Sequence, residues 1–188
     1  MTATTSRAPL ADVDAIKAAI AGSIGVSGNT VDIIDADRVR GSVIDSLVFT
    51  AVFGDEQPRD LARWIIRAIA PKLGAFPASI NDLYFAAGRG EYEHATAPAI
   101  NVRGMTFDKA QAVFRAARAN DNKIVLFEIA RSEMAYTWQR PAEYASSVLA
   151  AAIKSNWQGP VFIQGDHFQA LRTAYGNDPE KKSVRSAP

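Results

Sequence analysis

Apolar positions recur at helical spacing through the first half of the chain and change to short continuous runs in the second. Val13, Ile16, Ala19 and Ile20 share one face, so residues 11–21 predict a helix, and the Gly-, Ser- and Asn-rich residues 23–30 break it. From Asp35 onward, Val39, Val43, Ile44, Leu47 and Val48 predict a second helix reaching about Phe53. Pro58 suits the first turn of a third helix carrying Leu61, Trp64, Ile65 and Ile69, which ends near Pro71 or Gly74. Residues 77–87 suit a fourth, short helix before Gly88-Arg89-Gly90.

After residue 96 the pattern alternates. Residues 98–102 predict a strand, and Thr106 caps a helix whose face is Phe107, Ala110, Phe114 and Ala117. Residues 123–130 form a near-continuous apolar run, as expected of a strand covered on both sides. Pro141 opens a helix with Tyr144, Val148, Leu149, Ala152 and Ile153, and Val161-Phe162-Ile163 is the third strand. Crossovers of this length make the three strands parallel in one sheet. The expected organisation is an all-helical leader over residues 1–92, a β/α unit over 93–175, and a disordered tail over 176–188.

Composition narrows the classes. With 48% hydrophobic residues among 188, the chain is built to bury a core. Its 21 basic and 20 acidic residues nearly cancel and form no basic patch, which argues against nucleic acid as a partner. The absence of cysteine excludes disulfides and thiolate metal sites. No apolar run reaches the ~18 residues of a membrane span and no secretory signal opens the chain, so the expectation is a cytoplasmic protein.

In parallel α/β sheets, functional groups gather where strands end and βα loops begin. Here those positions hold Asn101 and Arg103, then Glu128, Arg131, Ser132 and Glu133, then Gln164, Asp166 and His167. Phe162, Gln164 and Asp166 share a face by the two-residue period. Asp166 and His167 can serve one site only where the strand stops between them; His suits a metal and a carboxylate suits proton transfer. A structural ion pair from Glu128 to Arg131 or Arg103 is the plainer alternative. His94 lies in a polar linker and reads as solvated, the tryptophans lack ligand-like spacing, and no phosphate-binding glycine loop is present.

Three segments in order carry a family resemblance. Pro160-Val161-Phe162-Ile163-Gln164-Gly165-Asp166-His167 resembles the third barrel strand of class II, zinc-dependent aldolases, and Pro98-Ala99-Ile100-Asn101-Val102 is similar to their first. Phe127-Glu128-Ile129-Ala130-Arg131-Ser132-Glu133 resembles a bacterial branch with a helical leader, and Ile44-Asp45-Ser46-Leu47-Val48-Phe49-Thr50 is similar to part of that leader. The resemblance spans residues 31–175. It implies the first three β/α units of a (β/α)8 TIM barrel, and reversible aldol cleavage of a ketose phosphate to dihydroxyacetone phosphate and an aldehyde. It also implies Zn2+ as cofactor with His167 as a ligand, and Asp166 as the acid/base. Asn101 and Ser132 would lie on the sugar-phosphate substrate.

The family's zinc takes three histidines, and this sequence has two, His94 and His167. Three strands do not close a barrel, which leaves both sheet edges open and invites homo-oligomer formation. The expectation is a truncated family member, inactive alone. A non-catalytic interaction module and a small α/β domain with a structural Asp-His pair are the alternatives. A Schiff-base mechanism is disfavoured because Lys123 sits at the entry end of the second strand and Lys154 late in a helix, neither near a strand's catalytic end.

Overall fold

The computed structural model describes residues 8–93 and 96–168; His94 and the expected tail over 176–188 lie outside the described residues. Helix α1 (Val13–Ile20) begins at Asp12, whose carboxylate accepts the Ala15 amide at 2.7 Å. Strands β1 (Ile24–Ser27) and β2 (Thr30–Ile33) follow as an antiparallel hairpin. Gly28, at φ +57°, supplies the left-handed turn residue. A single turn, α2 (Ala36–Arg38), passes through a π-helical stretch at Val39–Val43, kinked at Gly41, into α3 (Ile44–Phe53). Helix α4 (Glu56–Lys72) then buries Ile65, Ile66 and Ile69.

The leader is therefore not all helical. Besides the hairpin, it contributes strand β3 (Ala75–Ala78) ahead of α5 (Asn81–Gly88). Residues 23–30, expected only to break a helix, hold one strand of a pair too short to register as a periodic pattern. In β3, Pro77 removes a backbone donor, which an edge strand tolerates and a central strand does not. The turn into β3 depends on Gly74, at φ +91°, where an added Cβ would collide with Gln158 Oε1.

The expected alternation follows in order: β4 (Ala99–Asn101), α6 (Thr106–Ala119), β5 (Leu126–Ala130), α7 (Arg131–Thr137), α8 (Pro141–Lys154) and β6 (Gly159–Asp166). Helix α7 is an addition to the expected pattern. Four strands form one parallel sheet in the order β3-β6-β5-β4. The edge beside β6, expected open, is thus covered by β3, and on the other side β4 pairs, among the described residues, only with β5.

Strand alternation divides the side chains between two faces. Phe127, Ile129 and Val161 enter the main core with α6 and α8. There Phe127 meets Phe114 at 5.0 Å between ring centroids, and Phe114 meets Trp157 at 5.1 Å. Helix α8 is buried almost all round, from Ser146 to Ile153, because α3 and α4 pack against it as well. One continuous hydrophobic cluster therefore joins the leader to the sheet. On the opposite face, Leu126 and Phe162 make a small cluster with Ile80 and Leu83 of the α5 region, covering only the entry end of the sheet. Its exit end is left to polar groups. Among the described residues, no helix is long and apolar enough to cross a membrane.

Candidate functional site

Register builds the site. Asn101 pairs with Glu128 and Glu128 with Gln164, while Ala130 pairs with Asp166, so polar side chains from three strands rise on one face at their carboxyl ends. Gln164 Nε2 donates to Glu128 Oε2 at 3.0 Å, and Tyr84 Oη of α5 donates to Gln164 Oε1 at 3.5 Å. Asn101 Nδ2 donates to Asp166 Oδ2 at 3.4 Å. The carbonyl oxygen of Asn101 is buried and has no hydrogen-bond partner among the described residues. A buried acceptor without a donor calls for a water or a ligand hydroxyl.

Strand β6 stops at Asp166, and His167 turns into the left-handed region at φ 49°. This break in the strand lets adjacent residues meet: His167 Nε2 lies 3.2 Å from Asp166 Oδ1. The imidazole remains 76% exposed. Of the residues singled out from sequence, Asn101, Asp166 and His167 therefore come together. Ser132 is exposed in the first turn of α7, and its side chain has no hydrogen-bond partner among the described residues.

The anticipated ion pair from Glu128 to Arg131 or Arg103 is absent among the described residues. Arg103 instead pairs with Glu133. Glu133, third residue of α7, also accepts the Ala130 amide at 2.9 Å, which is the side-chain half of a capping box. Burial pushes the Glu133 carboxyl up, but the Ala130 amide, Asn101 and the Arg103 guanidinium outweigh it and hold the carboxyl below its ordinary value. Asn101, held by Asp166, thus also helps to keep the Glu133 carboxyl ionised. Beneath the row, Tyr144 Oη donates to the Glu128 carbonyl at 2.9 Å, and burial pushes its phenol far up, so it stays a donor.

Tyr84 is the site residue that sequence reasoning missed. It lies 80 positions from its partner, on a leader helix, and no motif links the two. Chemically, the surface offers two carboxylates, two amides and a phenol, a set suited to a polyhydroxylated ligand. Among the described residues, no group of three or more His, Cys, Asp or Glu is placed to hold a metal. Comparison of the chain with protein-family models, curated proteins and solved structures finds no match.

Proposed function

We propose that the chain carries the first three β/α units of a class II-type aldolase barrel and part of the surface that binds its ketose phosphate. The observation that carries this reading is the Asn101–Asp166 hydrogen bond at the strand ends, with Asn101 Oδ1 left without a partner. In this reading, Asp166 takes the proton from the hydroxyl beside the scissile carbon–carbon bond. The bond's electrons pass toward the carbonyl as the aldehyde leaves. Asn101 orients Asp166 and accepts from a substrate hydroxyl through Oδ1, while Glu128 and Gln164 hold a neighbouring hydroxyl. The sequence agrees, with its three strand motifs in family order.

The two histidines of the sequence do not make the family's three-histidine centre, so no step here runs through zinc. Among the described residues no metal-holding group is placed to stabilise the enediolate, and stabilising such developing charge is usually the largest single part of catalysis. The purified chain with added Zn2+ is therefore expected to give no turnover of fructose or tagatose bisphosphate in a coupled aldol-cleavage assay. Binding is expected without turnover. Calorimetric titration with dihydroxyacetone phosphate should give a Kd on the order of millimolar, as a few exposed hydrogen bonds allow, and Asn101→Ala should weaken it about tenfold. Wild-type turnover, or binding indifferent to Asn101→Ala, would count against the reading.

A second reading is favoured by one observation: among the described residues, β4 has a strand neighbour on one side only. We infer that its outer edge pairs with a second copy of the chain. Light scattering should then give the mass of a dimer, and a monomer at all concentrations would exclude it.

A further inference from the structure

Away from the strand-end row, a cleft of about 440 Å³ opens between α3 and the loops that lead into α6 and α8. That volume is in the range of small-molecule sites. Its floor is apolar, with Val48, Phe49, Val52 and Phe107, and the Phe49 and Phe53 rings meet at 4.7 Å. Phe53 and Met105 border it while 65% and 71% exposed, an unusual pairing of large apolar side chains with solvent. Met105 is also held at φ 49°, a conformation that costs a non-glycine residue about 1 kcal/mol or more.

The polar lining has one sign. Asp45, Asp108 and Glu143 contribute carboxylates, and no lysine, arginine or histidine lines the cleft among the described residues. The cations nearby are engaged from behind. Lys154 Nζ donates to Asp45 Oδ2 at 2.8 Å and to the Gly41 carbonyl at 2.6 Å, and the Arg63 guanidinium lies 3.5 Å from Glu143. Asp45 Oδ1 stays buried without a hydrogen-bond partner among the described residues. Burial pushes the Glu143 carboxyl up despite Arg63, so additional positive charge in the cleft would relieve it.

We propose that this cleft binds a small organic cation, its apolar group against Phe49, Phe53 and Met105 and its ammonium among Asp45, Asp108 and Glu143. Two of the three carboxylates are paired from behind by Lys154 and Arg63, which leaves the lining net negative and disfavours a phosphate or carboxylate ligand, so the cleft is a separate site from the strand-end surface. The cation replaces water around carboxylates that the fold has already partly desolvated, and the aromatic rings add cation–π attraction.

The test uses the intact chain with two probes of the same shape and opposite charge, phenethylamine and 3-phenylpropionate, followed by ligand-detected NMR. The amine should saturate, and the acid should bind at least about tenfold more weakly. Asp108→Asn and Phe53→Ala alter exposed side chains and leave the core intact. Each should weaken the amine by about threefold or more. No saturation by about 10 mM amine, equal binding of the acid, or a variant that leaves the affinity unchanged overturns the proposal.

Discussion

Phe127→Ala is expected to destabilise the protein by about 3–5 kcal/mol, a large share of the ~5–15 kcal/mol that holds a domain of this size. Phe127 is fully buried near the start of β5, and its ring contacts Phe114, which in turn contacts Trp157. Truncation removes the transfer energy of the ring, opens a cavity under α6 and α8, and loses an aromatic pair worth about 0.5–1.5 kcal/mol. Because the same core joins the leader helices to the sheet, one cooperative loss is expected and not a local one. In urea, with m near ~2 kcal/mol/M, the midpoint should fall by roughly 1.5–2.5 M. Phe85→Ala, at a side chain 65% exposed, should change stability by no more than about 0.5 kcal/mol. A loss below ~1 kcal/mol for Phe127→Ala would mean that the sheet does not pack on α6 and α8 in this way.

Glu133→Ala is expected to cost about 2–3 kcal/mol, because it strips the acceptor from a buried backbone amide at Ala130 and from Asn101 as well as from Arg103. The Arg103 part is discounted, since that side chain is 55% exposed. A pH signature separates the carboxylate from its bulk. The folded carboxyl titrates below its ordinary value near 4.5, so the unfolded chain takes up the proton first. Its contribution is full above that ordinary value and is lost as pH falls through the lowered folded one. Denaturation midpoints of the wild type should drop steeply below pH ~4.5, and those of Glu133→Gln less so. Glu143 runs the other way. Burial raises its carboxyl, so its contribution grows as pH falls toward the ordinary value, above the window in which Glu133 acts. Equal acid slopes for wild type and Glu133→Gln would show that the three donors do not hold Glu133 ionised.

The legible parts of this fold were those whose physics is local. Strands β4, β5 and β6 showed as apolar runs set between helical repeats, and the rule that function lies where parallel strands end led to Asn101, Asp166 and His167. The break at Asp166 was a condition stated from strand geometry, and the left-handed φ of His167 meets it. What stayed hidden is non-local. Strand β3 is a four-residue segment containing Pro77, and only its pairing with β6 makes it a strand. The hairpin of β1 and β2 lay in a stretch rich in Gly and Ser, where Gly28-Asn29 is a turn signal that was read simply as a break. The second predicted helix was found, but split at Gly41, whose backbone departs from helical geometry. Arg103 and Glu133 were both noted at strand ends; their pairing was not, because it depends on α7, which starts directly after β5 and brings Glu133 back over the strand. Tyr84 reaches Gln164 only because α5 folds across the sheet.

We propose that the row of Asn101, Glu128, Gln164 and Asp166 is a ketose-phosphate surface. Side-chain amide resonances of Asn101 and Gln164, assigned in the isotope-labelled chain, test it during titration with dihydroxyacetone phosphate. Both amides should shift together and saturably, Asp166→Asn should alter the response at Asn101, and inorganic phosphate alone should not reproduce it. Unmoved amides at saturating ligand, or the same shifts with inorganic phosphate, would contradict it.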